Sequence, residues 1–265
     1  MKKNISNPIK TPNQNRLGLS QHACNFRNEI DLANGTAPAS LLQPWSTPVL
    51  FSQLTGSVLD KMLLLTDEIL GSKIGKSHRK SLAGQIEQET KLDPGLLHEH
   101  GLKGYFSNMI EKYAKAALSQ KNPDSAASIS NESYLTEIRD MWIVSQKPGE
   151  YNPLHYHSGC HISAVMYLKV PEMVPSRKFD LGKDEDGAII FTGPPSADYT
   201  FTKQTFTAKP KVGDIFLFAA NQYHGVYPFR VKEEEIDIER RSVSFNAIFQ
   251  SRRDFDAGKA MSVLF

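Results

Sequence analysis

The chain has 265 residues, of which 40% are hydrophobic and 23% charged, with a formal net charge of +2. That length buries a substantial core unaided, since roughly three quarters of the unfolded surface disappears at this size. The near-neutral balance gives no electrostatic reason to expect nucleic acid or an anionic membrane as partner. The longest apolar runs, such as Ile215 to Ala220, fall far short of the roughly 20 residues that a membrane-spanning helix needs. The first residues are basic but no apolar stretch follows them, so no signal peptide is expected. Cys24 and Cys160 are too few for a disulfide framework and too far apart for a zinc knuckle. A reducing, cytoplasmic setting follows as the default.

Residues 1–44 are rich in Asn, Pro, Ser, Gln and Gly with little periodicity, and read as an extended or partly disordered arm. A short strand is expected at Thr47 to Gln53. Val58, Met62, Leu63, Thr66, Ile69 and Leu70 are spaced three and four apart, which predicts a helix with Ser57 as N-cap. A second helical region follows Pro94, carried by Leu102, Tyr105, Phe106, Met109, Ile110, Tyr113 and Ala117, its start weakened by Gly101 and Gly104. The Ser/Ala/Asn run between Asn122 and Ser133 reads as a linker. Residues 45–125 are thus expected to form a helical layer.

Beyond Tyr134 the period changes. Apolar-rich segments alternate with Gly/Pro/Asp turns at Tyr134–Val144, Ile162–Val170, Ala188–Thr192, Tyr199–Thr207, Ile215–Ala219 and Ser242–Phe249. Short strands at that spacing suggest an antiparallel sandwich or barrel. The expected fold is mainly β with N-terminal helices, a jelly-roll core over residues 126–250 and a tail over 251–265. No internal repeat is visible.

Of eight histidines, three crowd into seven residues: His155, His157 and His161. A fourth in this half, His224, follows the apolar run 215–219. Imidazole binds iron, zinc or copper, and an H-x-H at a strand end lets two rings converge on one ion. The same spacing at His98 and His100 has no apolar strand to frame it, and in a helix those positions point to different sides, so that pair reads as solvated. Lys183-Asp184-Glu185-Asp186 also reads as a solvated turn. Arg240 and Arg241 lie on a strand and therefore face opposite ways. Arg240 is in phase with Ser242, Ser244 and Asn246, a polar set suited to a wet pocket. Arg241 is in phase with Val243 and Phe245, which suit a core between sheets.

The order of these segments carries a resemblance. Trp142-Ile143-Val144, Gly149-Glu150-Tyr151-Asn152-Pro153, His155-Tyr156-His157 and Ser163–Leu168 are followed by Gly213-Asp214-Ile215-Phe216, His224-Gly225-Val226 and Arg240–Asn246. In this order and spacing the chain resembles the 2-oxoglutarate/iron(II) oxygenases, and looks closest to a bacterial and phage subgroup related to prolyl hydroxylases. Ser46–Val49 and Ser81–Glu87 extend the resemblance to about residues 45–250. It implies a double-stranded β-helix holding Fe(II) through a His-x-Asp…His triad. His155 falls on the first position and His224 on the last, while His157 stands where the carboxylate is expected. His161, in strand phase with Ser163 and Tyr167, is an alternative ligand and is better suited to hydrogen bonding behind the site. In the family an arginine on the strand after the distal histidine meets the far carboxylate of 2-oxoglutarate. Strand phase selects Arg240 for that role, with Tyr167 and Ser242 beside it. The resemblance also implies molecular oxygen as co-substrate and oxidative decarboxylation coupled to hydroxylation of a C–H bond. Kinship with prolyl hydroxylases favours a peptidyl substrate; nothing in the sequence fixes that substrate or the oligomeric state. Two other readings stay open: a cupin-type three-histidine dioxygenase that uses no keto acid, and a non-catalytic jelly-roll binding module.

Overall fold

The computed structural model describes residues 27–30, 39–42, 48–54, 56–72, 76–78, 82–174, 184–193, 204–232 and 238–259. Most of the expected arm, the expected strand starts at Thr47 and Tyr199, Lys183, residues 233–237 and the end of the tail lie outside them.

In chain order the elements are β1 (Arg27–Ile30), β2 (Ala39–Leu42), β3 (Val49–Gln53), α1 (Ser57–Gly71), β4 (Gln88–Lys91), α2 (Leu96–Glu99), α3 (Lys103–Lys121) and α4 (Ala126–Asn131). There follow β5 (Tyr134–Gln146), β6 (Asn152–His155), β7 (Ile162–Lys169), β8 (Ile189–Thr192), β9 (Thr205–Ala208), β10 (Asp214–Ala219), β11 (His224–Val226), β12 (Arg240–Ser251) and α5 (Arg252–Asp256). They make an eight-stranded sheet in the order β1-β2-β3-β10-β7-β12-β5-β4 and a four-stranded sheet in the order β6-β11-β8-β9. Every recorded pairing is antiparallel. This is the jelly-roll expected from the sequence.

Strand alternation explains how the large sheet serves two cores. In β10, Ile215 and Leu217 join the side chains under the helices, while Phe216 and Phe218 face the small sheet. In β7, Ile162, Ala164, Met166 and Leu168 take the first side, and Val165 and Tyr167 the second. A strand buried on both faces reads as a continuous apolar run, which is why 215–219 shows no polar alternation. The helices supply the outer cover. Phe106, Met109, Ile110, Tyr113 and Ala114 of α3 are buried, as expected from residues three and four apart on one helical face. Each such large apolar side chain contributes on the order of 1.5–3 kcal/mol. The Tyr113 hydroxyl donates to Pro48 O at 2.9 Å, tying α3 to the start of β3.

Several expectations need correction. The 122–133 linker is helical instead: a 3-10 turn at Pro123–Ser125 leads into α4. Its Ser and Asn content pointed to a loop, but Pro at the first helical position and Ala126–Ala127 start a turn readily. The arm contributes strands β1 and β2, paired in series to β3. The helical region contributes β4, whose Gln-Glu-Thr-Lys has no apolar alternation and is recruited by pairing with β5. Gly56, not Ser57, stands at the N-cap of α1. Val243 and Phe245 pack beneath the helices rather than between the two sheets.

Candidate metal centre

The small sheet brings two distant histidines face to face. β6 and β11 are adjacent, and His155 is the direct cross-strand partner of His224. Gly225 permits that closeness, because a Cβ there would stand 3.0 Å from Asn152 O. His157 follows β6, where its backbone N–H donates to Ala220 O at 2.8 Å and turns the chain back over the cavity. Ring centroids are 4.3 Å apart for His155–His224, 5.1 Å for His155–His157 and 5.2 Å for His157–His224. One ligand atom from each lies within 4.8 Å of the others.

Local hydrogen bonds set the tautomers of two of the rings. His155 Nδ1 is 2.7 Å from Pro153 O, and His224 Nδ1 is 2.9 Å from Gln222 O. A carbonyl only accepts, so both Nδ1 atoms carry the proton and both Nε2 lone pairs are left for a ligand. Burial lowers the pKa of all three imidazoles, further depressed by neighbouring histidines at His157 and His224. His157 is brought down to about 4. Neutral imidazoles with converging lone pairs are the form that binds a transition metal, and the donor set suits iron.

The triad opens onto a cavity of about 170 Å³ between the sheets, lined by Trp142, Val144, Ile189, Phe218 and Val226 among others. Deeper in it lies Arg240, only 2% exposed. Its Nη1 donates to Gln146 Oε1 at 3.2 Å, and its guanidinium carbon sits 4.9 Å from the centre of the Tyr167 ring. No carboxylate pairs with it among the described residues, and its Nε has no hydrogen-bond partner. The Tyr167 phenol lies beside it with no well-formed bond of its own, its pKa raised by burial, so it keeps its proton and can donate. Ser242 is the cross-strand neighbour of Tyr167 and also lines the cavity. A buried guanidinium costs several kcal/mol unless an anion meets it. The cavity therefore combines three converging imidazoles with a buried guanidinium that meets no carboxylate among the described residues.

Arg241 points the other way. It bonds Asp67 Oδ1 at 2.5 Å, Thr66 Oγ1 at 3.1 Å and both Glu239 oxygens at 2.8 and 2.7 Å, fastening β12 to α1. His161 does not join the triad. Its Nδ1 accepts the Phe249 N–H at 3.1 Å and its ring packs on Phe249 at 4.9 Å, because the residue precedes β7 and is outside that strand's phase. His98 is exposed on α2 and His100 caps it, away from the cavity. Asp184 pairs with Lys209. Sequence reasoning missed Gln146, which holds Arg240, and Glu89, a buried carboxylate on the cavity wall. Glu89 sits in a charged run that reads as solvent-facing, so it gave no signal. Gln146 was detectable only as the cross-strand partner of Arg240.

Among the described residues no helix is long and apolar enough to cross a membrane. No curated protein matches the chain in sequence. Among solved structures it is similar to a prolyl-4-hydroxylase of Pseudomonas putida, at 16% identity with TM-score 0.44, covering 76% of this chain and 92% of that one. HygX from Streptomyces hygroscopicus, solved with nickel and 2-oxoglutarate bound, is 12% identical with TM-score 0.40, covering 76% and 83%. The carbocyclase SnoK from nogalamycin biosynthesis is 11% identical with TM-score 0.44, covering 82% and 88%. Residues 140–246, which carry the histidine triad, Tyr167 and Arg240, match the family described as "Putative 2OG-Fe(II) oxygenase".

Proposed function

We propose that the protein is a non-haem iron hydroxylase that couples decarboxylation of 2-oxoglutarate to hydroxylation of a C–H bond on a polypeptide. The observation that carries this reading is Arg240, a buried guanidinium with no carboxylate partner among the described residues, in the same cavity as three neutral, converging imidazoles. His155, His157 and His224 would hold the iron, which, with 2-oxoglutarate and oxygen, supplies the oxidising power for a C–H bond. Arg240 binds the far carboxylate of the co-substrate with paired N–H donors, Tyr167 adds a phenolic donor, and Ser242 lines the space between. Val144, Ile189, Phe218 and Val226 keep the reacting end dry, which strengthens each of these interactions.

The mouth supports a large substrate. Tyr151, Leu154, Tyr156 and Tyr223 are all exposed, and they flank the metal ligands in sequence. Tyr156 and Tyr223 face one another at 5.2 Å. Tyrosines clustered in the open are what polypeptide interfaces use. A cytoplasmic setting is part of the proposal, and the free, buried Cys160 thiol fits it.

The test is an anaerobic titration with Fe(II), with and without 2-oxoglutarate, followed by the visible charge-transfer band of the chelate, then succinate formation in air. A band that requires 2-oxoglutarate is expected. Iron binding with no such band would favour the cupin-type dioxygenase, which has no use for Arg240. Absence of metal binding would favour a non-catalytic module.

A further inference from the structure

Two of the three imidazoles are oriented by backbone carbonyls, and the third is not. His157 Nδ1 instead faces the side-chain amide of Asn246 at 3.5 Å, and the other end of that amide lies 2.7 Å from Ser163 Oγ. Asn246 is the cross-strand partner of both Ser163 and Asp140, at a register shift between β12 and β5. A bulge of this kind re-aims side chains. Ser163 is almost fully buried, so the amide is held on both sides.

We propose that Asn246 is the positioning residue for the middle metal ligand, presenting its carbonyl oxygen to a protonated His157 Nδ1 and its NH₂ to Ser163. The inference rests on the metal-centre reading. The oxygen and nitrogen of an amide are distinguished by their bonding partners rather than by shape. An NH₂ turned to His157 would need a bare Nδ1, which places the ring proton on Nε2 and closes that atom to a metal. The opposite orientation satisfies every group. His157 donates to Oδ1, Nδ2 donates to Ser163 Oγ, and the Ser163 hydroxyl proton is free to bond the Cys160 thiol, a contact that lowers the pKa of that thiol against the effect of burial. His157 thus obtains from a side chain what His155 and His224 obtain from the backbone. It occupies the position where the family uses a carboxylate, whose geometry needs no tautomer, so an outer partner becomes necessary at this position.

The test measures Mn(II) binding by calorimetry under argon for the wild type, Asn246→Asp and Asn246→Leu, with thermal unfolding of each. Asp offers an acceptor to His157 and, protonated or not, still meets Ser163. Leu has similar bulk and no acceptor. Outer-partner losses in metal sites run roughly ten- to a hundred-fold in affinity, and that is the loss expected for Asn246→Leu, with Asn246→Asp within about threefold of wild type or tighter. ¹⁵N NMR of the metal-free wild type should show His157 as the Nδ1–H tautomer. An Asp variant as weak as the Leu variant, Leu binding as tightly as wild type, or an Nε2–H tautomer would each overturn the inference while leaving the other two ligands standing. If the Leu variant does not fold, the Asp affinity and the tautomer decide. A wild type that binds no Mn(II) overturns the metal-centre reading and this inference with it.

Discussion

Replacing Arg240 with Met separates a ligand-binding guanidinium from a structural one. The side chain is 2% exposed, makes one hydrogen bond to Gln146 and meets no carboxylate among the described residues. In the free protein its charge is therefore desolvated without a counter-ion, an arrangement that costs several kcal/mol. Met fills much of the same space without that charge. The free variant should unfold no earlier than wild type, and later if the desolvation cost dominates. Binding of 2-oxoglutarate should move in the opposite direction. Truncating one partner of a buried hydrogen-bonded charge pair costs about 2–5 kcal/mol, which is roughly thirty-fold to a few thousand-fold in Kd. The assay is calorimetry of 2-oxoglutarate binding to the Mn(II)-loaded protein under argon, paired with thermal denaturation of the free protein. A variant that binds 2-oxoglutarate within about threefold of wild type would refute the reasoning. So would a large loss of stability in the free form, because it would mean that Arg240 is structural.

Replacing His155 or His224 with Ala should remove most bound metal in an equilibrium dialysis, since two ligands remain from a set that converges within 4.8 Å. Metal affinity should persist to more acid pH than a site of ordinary histidines allows, because the lowered pKa values extend the neutral, ligating form downward in pH. A midpoint for metal loss near 6.5 would contradict this. Replacing Arg241 with Ala should leave 2-oxoglutarate affinity unchanged but destabilise the fold by about 1–3 kcal/mol, from lost bonds to charged partners. Burial opposes ionisation of Glu239, but bonds from Arg241 and Ser145 outweigh it and lower its pKa. That stability is present above the ordinary glutamate value and is lost as pH falls through the lowered one. The variant's acid unfolding, followed by circular dichroism, should accordingly be less pH-dependent on that limb.

The fold was legible wherever one periodicity had one cause. The apolar steps through α1 and α3 and the short β-segments after Tyr134 each had a single solution. β4 was not legible, because Gln88–Lys91 is a strand only by virtue of β5 beside it. The 122–133 segment failed for the opposite reason: its composition is that of a loop, yet Pro123 lies where a helical turn tolerates it. At the site, strand parity placed Arg240 and Arg241 on opposite faces of β12, and the structure puts Arg240 on the cavity wall and Arg241 against α1. Parity misled for His161, because the residue precedes β7, which starts at Ile162, and its ring is held by the Phe249 N–H instead. Glu89 could not be read as a site residue at all, and Asn246, though in phase with Arg240, could not be matched to a particular histidine. Their significance depends on which strands and loops the fold brings beside them, and that is a property of topology rather than of local sequence.

The third histidine changes the electrostatics that the floor of the cavity must satisfy. With a carboxylate at position 157 the free site would already hold a negative charge, and Arg240 would have an internal counterweight. With three neutral imidazoles the triad supplies none. Among the described residues the one acidic side chain lining the cavity is Glu89, on β4, two strands from β12. The inner pole is thus positive before anything binds, and a metal at the mouth makes it more so. A dianion that spans from mouth to floor relieves both charges at once, whereas a monoanion relieves only one. On the proposed reading, a buried guanidinium in the same cavity as three imidazoles favours a ligand with a carboxylate at each end, and the substitution of His157 for a carboxylate sharpens that preference.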